Sequence, residues 1–286
     1  MRIGMQSVLI AVLALGVLGF GSAAQALVQD DFESYGVGSF PSPNWLDVGT
    51  VLPDPPVPPI PSATIIATTD ANGNPTRALS TVGDLGSAKG IYTPVPLSSS
   101  YTLGADVRVD RYSDHPTGTT ADWAMQLTFA QVGVLGFDGT PQAGIYASSL
   151  TQGWRLFLIS SNGGPFADID LAAAANLDTW YHLNLTLDAT TGTFHSQITD
   201  LSTSTTVSDQ INVISGWVPQ DAQFDSFAFF GGELSVPDDT IGDIGVVDNI
   251  NVTTNPIPEP ATLLLCGTGL LGLVGMQYRA RRSTQA

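Results

Sequence analysis

Between Leu27 and Asn255, apolar residues recur at every second position, in short runs cut by Gly, Pro, Asn and Asp. Leu103, Ala105, Val107 and Val109 alternate with Gly104, Asp106, Arg108 and Asp110. Trp123, Met125, Leu127 and Phe129 alternate with Ala124, Gln126 and Thr128, and Tyr181, Leu183, Leu185 and Leu187 with His182, Asn184, Thr186 and Asp188. A period of two sends successive side chains to opposite faces, so each run predicts a strand with one buried and one wet face. Trp154–Ile159 and Phe224–Phe230 are apolar on both faces and read as central strands. Asp188–Gly192 reads as a hairpin turn. The one helix candidate is a short turn carrying four alanines, Leu171–Asn176. Many short strands without alternating helices predict an all-β sandwich rather than an α/β fold.

Composition narrows the function. The formal net charge is −17, and Leu27–Pro260 keeps only five basic residues (Arg77, Lys89, Arg108, Arg111 and Arg155) against all 26 acidic ones. A chain so acidic, without a basic patch, repels phosphate backbones, which excludes nucleic acid as a partner. At 43% hydrophobic it is not globally disordered, and 30 Gly and 19 Pro exclude a helical bundle. Of the 26 acids, 23 are Asp, which suits turns and divalent cations better than helix interiors. The single Cys266 lies near the C-terminus, so the strand-rich segment has neither disulfide nor thiol chemistry. Leu52–Pro61 is polyproline-like and reads as a stiff surface loop.

The ends read as targeting segments. Arg2, the apolar run Val8–Phe20 and the Ala24-Gln25-Ala26 close form a secretory signal, with cleavage by signal peptidase expected after Ala26. At the other end Pro258-Glu259-Pro260 precedes the apolar stretch Ala261–Tyr278 and the basic cluster Arg279, Arg281 and Arg282. As a helix those 18 residues reach roughly 27 Å, slightly under a hydrocarbon core. The Arg cluster would hold the tail cytoplasmic while the rest crosses. Motif, apolar helix and basic stop resemble the PEP-CTERM sorting signal of Gram-negative bacteria. The resemblance implies exosortase recognition, cleavage near Pro258-Glu259-Pro260, transient anchoring in the inner membrane and delivery to the surface of a host that makes exopolysaccharide or biofilm matrix. The expected organisation is a signal peptide at 1–26, one domain at 27–255 and a sorting signal at 256–286.

Asp30-Asp31-Phe32-Glu33-Ser34-Tyr35-Gly36, followed by Trp45, resembles the first strand of concanavalin A-like, laminin-G-like jelly rolls. Trp180-Tyr181-His182-Leu183 through Thr191-Gly192 resembles their central hairpin, and Val246–Val252 their closing strand. Related carbohydrate-binding jelly rolls share the opening and closing patterns. The resemblance implies a jelly-roll β-sandwich whose first and last strands are neighbours, and a calcium ion joining them. Asp248 keeps the register of Ile244, Val246, Ile250 and Val252. A carboxylate on an inward face needs a partner or a cation. Asp31, Glu33 and Asp248 are therefore the expected Ca²⁺ ligands, with Asp30 nearby. The alternative is that Asp248 accepts backbone amides.

A catalytic set is hard to find. Glu33, Glu233 and Glu259 lie too far apart in sequence for the closely spaced Glu pair of sandwich-fold glucanases. His115, His182 and His195 show no metal spacing, and no Gly-x-Ser-x-Gly elbow exists. A two-Asp glycosidase needs only suitable separation, and nothing marks which two. For a glycan-binding role, aromatic platforms and neutral hydrogen-bonding groups on loops are the signature. Tyr112 and Asp114 in the Arg111–Asp122 loop, with Tyr146 and Trp217 at other turn-rich positions, fit it, whereas Trp123, Trp154 and Trp180 read as core. The expected function is non-catalytic binding or organisation of extracellular polysaccharide. A glycoside hydrolase or lyase on that polymer, or a purely adhesive surface protein, are the alternatives.

Overall fold

The computed structural model describes residues 25–47, 63–82, 90–98, 100–112, 123–130, 141–159, 166–188, 190–214, 224–231 and 243–254. These lie in one compact unit, Gln25–Thr254, and all their regular structure is strand. One antiparallel sheet holds β1 (Gln25–Asp30), β3 (Ala63–Thr69), β4 (Pro75–Val82), β6 (Ser100–Arg111), β11 (Tyr181–Asp188), β12 (Thr193–Asp200), β13 (Thr205–Val213) and β15 (Ile244–Thr254). Its order is β13-β12-β11-β6-β15-β4-β3, with β1 also pairing β15. The second holds β2 (Leu46–Asp47), β5 (Gly90–Ser98), β7 (Trp123–Ala130), β8 (Gln142–Ser148), β9 (Gly153–Ile159), β10 (Phe166–Ala174) and β14 (Phe224–Gly231), in the order β10-β9-β8-β7-β14-β5-β2.

The alternation in β6 and β11 does what period two requires. Leu103, Ala105, Val107, Leu183, Leu185 and Leu187 are fully buried between the sheets, and their even-numbered neighbours face outward. Against them pack Met125, Leu127, Phe129, Leu156, Phe227 and Phe229 of the second sheet. Tyr101 stacks on Phe129 at 4.6 Å between ring centres, and Trp154 meets Tyr181 edge-on at 5.6 Å. Burying side chains of this size contributes about 1.5–3 kcal/mol each, enough to drive assembly without disulfides. The first and last strands are neighbours, with Asp30 opposite Ile250. The hairpin after Asp188 joins β11 to β12, and Gly192 takes the positive φ of 65° there.

Four expectations change. First, Leu171–Asn176 is not helical: Leu171 to Ala174 end β10, and Leu171, Ala173 and Ala175 are buried while Ala172 and Ala174 are exposed. So short a segment cannot repay helix nucleation, and the edge of the sheet captures it. Second, β7 is buried on both faces. Gln126 pairs with Tyr146 on one side and Phe230 on the other, and is itself buried. Third, β1 ends at Asp30, because Phe32 takes a left-handed φ of 55° and the Asp30 carboxylate accepts its N–H at 2.9 Å. Asp31 and Glu33 therefore stand on a loop, not a strand.

The fourth concerns Asp248. Val247, Ile250 and Val252 belong to the core between the sheets, whereas Val246 packs on the opposite face with Ala78 and Trp180. The inward set thus switches from odd to even positions along β15. A bulge causes the switch: the register with β6 shifts between Asp248 and Asn251, and Asn249 has φ 50°. Asp248 consequently lies on the outer face, away from the core it was expected to enter.

Expectations at 1–24, at the Leu52–Pro61 segment, at Asp114 and Trp217, and from Asn255 onward (including Pro258, Glu259, Pro260 and the apolar stretch) fall outside the described residues. Ala26 is in β1 opposite Thr253. Cleavage after it would keep the pairs made by Val28, Gln29 and Asp30.

Candidate functional site

The outer face of the larger sheet carries a cleft of about 680 Å³ at the meeting of β1, β15, β6 and β11. Its floor follows from strand register. Thr102 and Gly104 point outward from β6, His182 and Asn184 from β11, and Asn251 and Thr253 from β15 beyond the bulge. Asn184 is the Cα partner of Gly104, which in turn is the partner of Asn251, so two carboxamides flank the glycine across three strands. Neither carboxamide is spent on a partner among the described residues. One wall is the loop after β1, through Asp31, Ser34, Tyr35 and Asn44.

Asp30, only 9% exposed, holds that wall. Its carboxylate accepts the Phe32 N–H, the Tyr35 hydroxyl at 2.9 Å and the Trp45 indole N–H at 2.7 Å. The Asn44 carboxamide donates to the Tyr35 oxygen at 2.9 Å, and the Arg77 guanidinium donates to the Glu33 and Tyr35 carbonyls. Burial and the Asp30 carboxylate push the Tyr35 phenol above its ordinary range.

Next to the cleft, around Thr76 and the cleft-lining His182, three acids are held. The Thr76 hydroxyl faces both Glu33 (2.7 Å) and Asp248 (3.2 Å). A hydroxyl has one proton, and the shorter contact gives it to Glu33. The Arg77 backbone N–H and Thr76 hold the Glu33 carboxyl below its usual range. Asp248 is 4% exposed, and burial pushes it up to about 6, against the Asn249 N–H that it accepts at 2.7 Å. The neighbouring Asp106 and Glu33 charges push the same way. Asp106 accepts from His182 Nδ1 at 2.6 Å and from the Asn249 carboxamide at 2.8 Å. That fixes the imidazole so that Nε2 stands beside Gly104.

This chemistry does not fit calcium, which takes six to eight oxygen ligands. Among the described residues no group of three His, Cys, Asp or Glu side chains could hold a metal. Asp31 accepts the Glu33 N–H in its own loop at 3.2 Å, and Glu33 and Asp248 are faced by N–H and O–H donors. Glu33 and Asp248 thus share Thr76 while Asp31 is engaged in its own loop, and the three expected ligands do not converge as a metal set. Adding EDTA is expected to leave the melting temperature within about 1 °C, since only a ligand bound to the native state shifts it; a fall of 5 °C or more would reinstate the ion.

Tyr112 does not line the cleft. It packs against the core, its hydroxyl donates to the Ala175 carbonyl, and burial raises its phenol well above the ordinary range. Tyr112→Phe is expected to cost about 1 kcal/mol of stability in urea denaturation, the worth of one hydrogen bond. Tyr146 lies in β8 with its hydroxyl on Asp168, and Trp154 and Trp180 are buried as expected, whereas Trp123 is only half-buried. Sequence reasoning missed Tyr35, Asn44, Gly104, Asn184 and Asn251 as a group, because only strand order brings them together.

Residues 256–282 match the PEP-CTERM protein-sorting motif. No curated protein matches the chain. Among solved structures, the cellulose-induced protein Cip1 is similar over 80% of this chain and 97% of its own, at TM-score 0.50 and 14% identity. The Ca²⁺/Man-bound exoplasmic/lumenal domain of VIP36 aligns over 83% of this chain and 94% of its own, at 0.49 and 10%. A sialidase aligns over 82% of this chain, at 0.48 and 12% identity, and the chain spans only 19% of the sialidase's length. The chain thus carries a PEP-CTERM sorting motif, which marks it for export, together with a β-sandwich whose fold is similar to that of Cip1.

Proposed function

We propose that this is an exosortase-processed surface or matrix protein whose domain, 27–255, binds or organises extracellular polysaccharide without catalysis. Signal peptidase would act after Ala26 and exosortase near Pro258-Glu259-Pro260, with the inner membrane holding the apolar tail only until then. The observation that carries the binding role is the cleft floored by the Asn184 and Asn251 carboxamides and walled by Tyr35. Carboxamides both donate and accept, as sugar hydroxyls do, and a phenol ring offers an apolar face to C–H groups. The volume suits a small-molecule site, typically ~300–1,000 Å³.

The test is calorimetric titration of the full chain with the host's exopolysaccharide fragments. Saturable binding that falls at least tenfold in Asn184→Ala/Asn251→Ala supports the role. Equal affinity in that variant removes the cleft from it, and no binding by folded protein leaves an adhesive or structural surface component.

An enzymatic reading has one observation in its favour. Asp248 and Glu33 titrate in opposite directions around Thr76, the separation expected of an acid and a base. Neither lines the cleft, so neither meets a ligand held there. A reducing-sugar assay in which turnover appears and then disappears in Asp248→Asn would favour the glycosidase or lyase.

A further inference from the structure

Gly104 sits in the middle of β6, at the floor of the cleft, and nothing in the fold asks for glycine there. Its φ lies outside the left-handed region, and the atoms nearest to a Cβ would be His182 Cε1 at 3.7 Å, His182 Nε2 at 3.8 Å and the Asn251 carbonyl oxygen at 3.9 Å. Those are ordinary contacts. Gly144 in β8 is the contrast: a Cβ there would stand 2.1 Å from the Leu127 carbonyl, so packing alone requires it. Glycine weakens a strand interior, and where the backbone does not need it the residue marks a close approach by something else. Along the outer face of β6, Thr102, Asp106 and Arg108 carry side chains, and Gly104 leaves a notch among them.

We infer that this notch seats one sugar residue of an uncharged glycan, and that the cleft rejects anionic glycans. The inference rests on the proposed glycan-binding role. Asn184 and Asn251 stand on the two sides of the notch to read hydroxyls, and His182 Nε2 offers a further polar contact. Among the described residues no Lys or Arg lines the cleft, while Asp30 and Asp31 lie on its wall. A carboxylate or sulfate entering it would lose hydration and meet like charge without a compensating cation.

The experiment titrates the full chain, its Gly104→Ala and its Gly104→Leu variants with neutral hexaoses (β-1,3-glucan, β-1,4-glucan, α-1,4-glucan and mannan) and with hexagalacturonate. Wild type is expected to bind at least one neutral hexaose saturably and hexagalacturonate at least tenfold more weakly. Gly104→Leu is expected to lose tenfold or more in affinity, and Gly104→Ala to keep or raise the melting temperature. Wild-type affinity in a folded Gly104→Leu, a large fall in melting temperature in Gly104→Ala, or hexagalacturonate binding as tightly as any neutral chain each overturns the inference. In the last case polysaccharide binding itself survives. Failure of folded wild type to bind any of the five overturns both.

Discussion

Asp248→Asn is expected to raise the melting temperature by roughly 5–10 °C at pH 8, where each kcal/mol is worth about 2–4 °C in a domain of this size. The carboxyl is buried on the outer face, beside Asp106 and Glu33, and is pushed up to about 6 from an ordinary 3.8. Such a shift makes its ionised form cost on the order of 3 kcal/mol. Asparagine removes that cost, keeps an oxygen for the Asn249 N–H, and supplies an N–H to the Thr76 hydroxyl oxygen. The pH dependence has a definite sign. Below the unfolded value of 3.8 both states hold the proton; between 3.8 and about 6 only the folded state does; above about 6 neither does. The native aspartate is therefore relatively most stabilising at low pH and loses that contribution as pH rises from about 3.8 to about 6. Melting curves of both proteins from pH 3.5 to 8 should converge at the acid end, diverge between about pH 4 and 6, and keep a constant gap above it. Parallel curves, or a variant less stable at pH 8, contradict this account of the acidic cluster.

Asp30→Ala is expected to destabilise by about 3–5 kcal/mol, the cost of leaving buried donors without their charged acceptor. The Phe32 N–H and the Trp45 indole N–H would lose their partner inside the fold, and the Tyr35 hydroxyl would lose the bond that positions it. Trp45 is 2% exposed and packs on Phe32 and Phe227, so the loss reaches the core as well as the cleft wall. Urea denaturation measures it directly. A change below 1 kcal/mol would mean that the loop after β1 is held by its apolar contacts, with Asp30 incidental.

Strand identity was legible wherever alternation was clean. In β6 and β11 the inward set is what spacing alone gives, because the two strands pair with each other without a register shift from Tyr101 to Val107. The adjacency of first and last strands followed from the jelly-roll resemblance and holds as the pairing of Asp30 with Ile250. Asp248 was singled out correctly as a carboxylate in an unusual environment, but its face was not readable. One left-handed asparagine shifts every later side chain of β15 to the other side, and nothing in Val-Asp-Asn-Ile announces it. The same reason hid the cleft. Asn184 and Asn251 are 67 residues apart in sequence and come to flank Gly104 only when β6 lies between β11 and β15. The loop aromatics looked more like a binding surface because side-chain chemistry is visible in sequence, and strand order is not.

The central claim, that the cleft over β15, β6 and β11 holds glycan, is tested most directly by nuclear magnetic resonance of the full chain selectively labelled at Asn and His. Glycan fragments that bind should shift the side-chain signals of Asn184 and Asn251 and the imidazole of His182, with and without EDTA. His195, which pairs with Asp209 on β13 away from the cleft, should stay unmoved. Shifts at His195 with Asn184, Asn251 and His182 unchanged would place the ligand elsewhere and contradict the account.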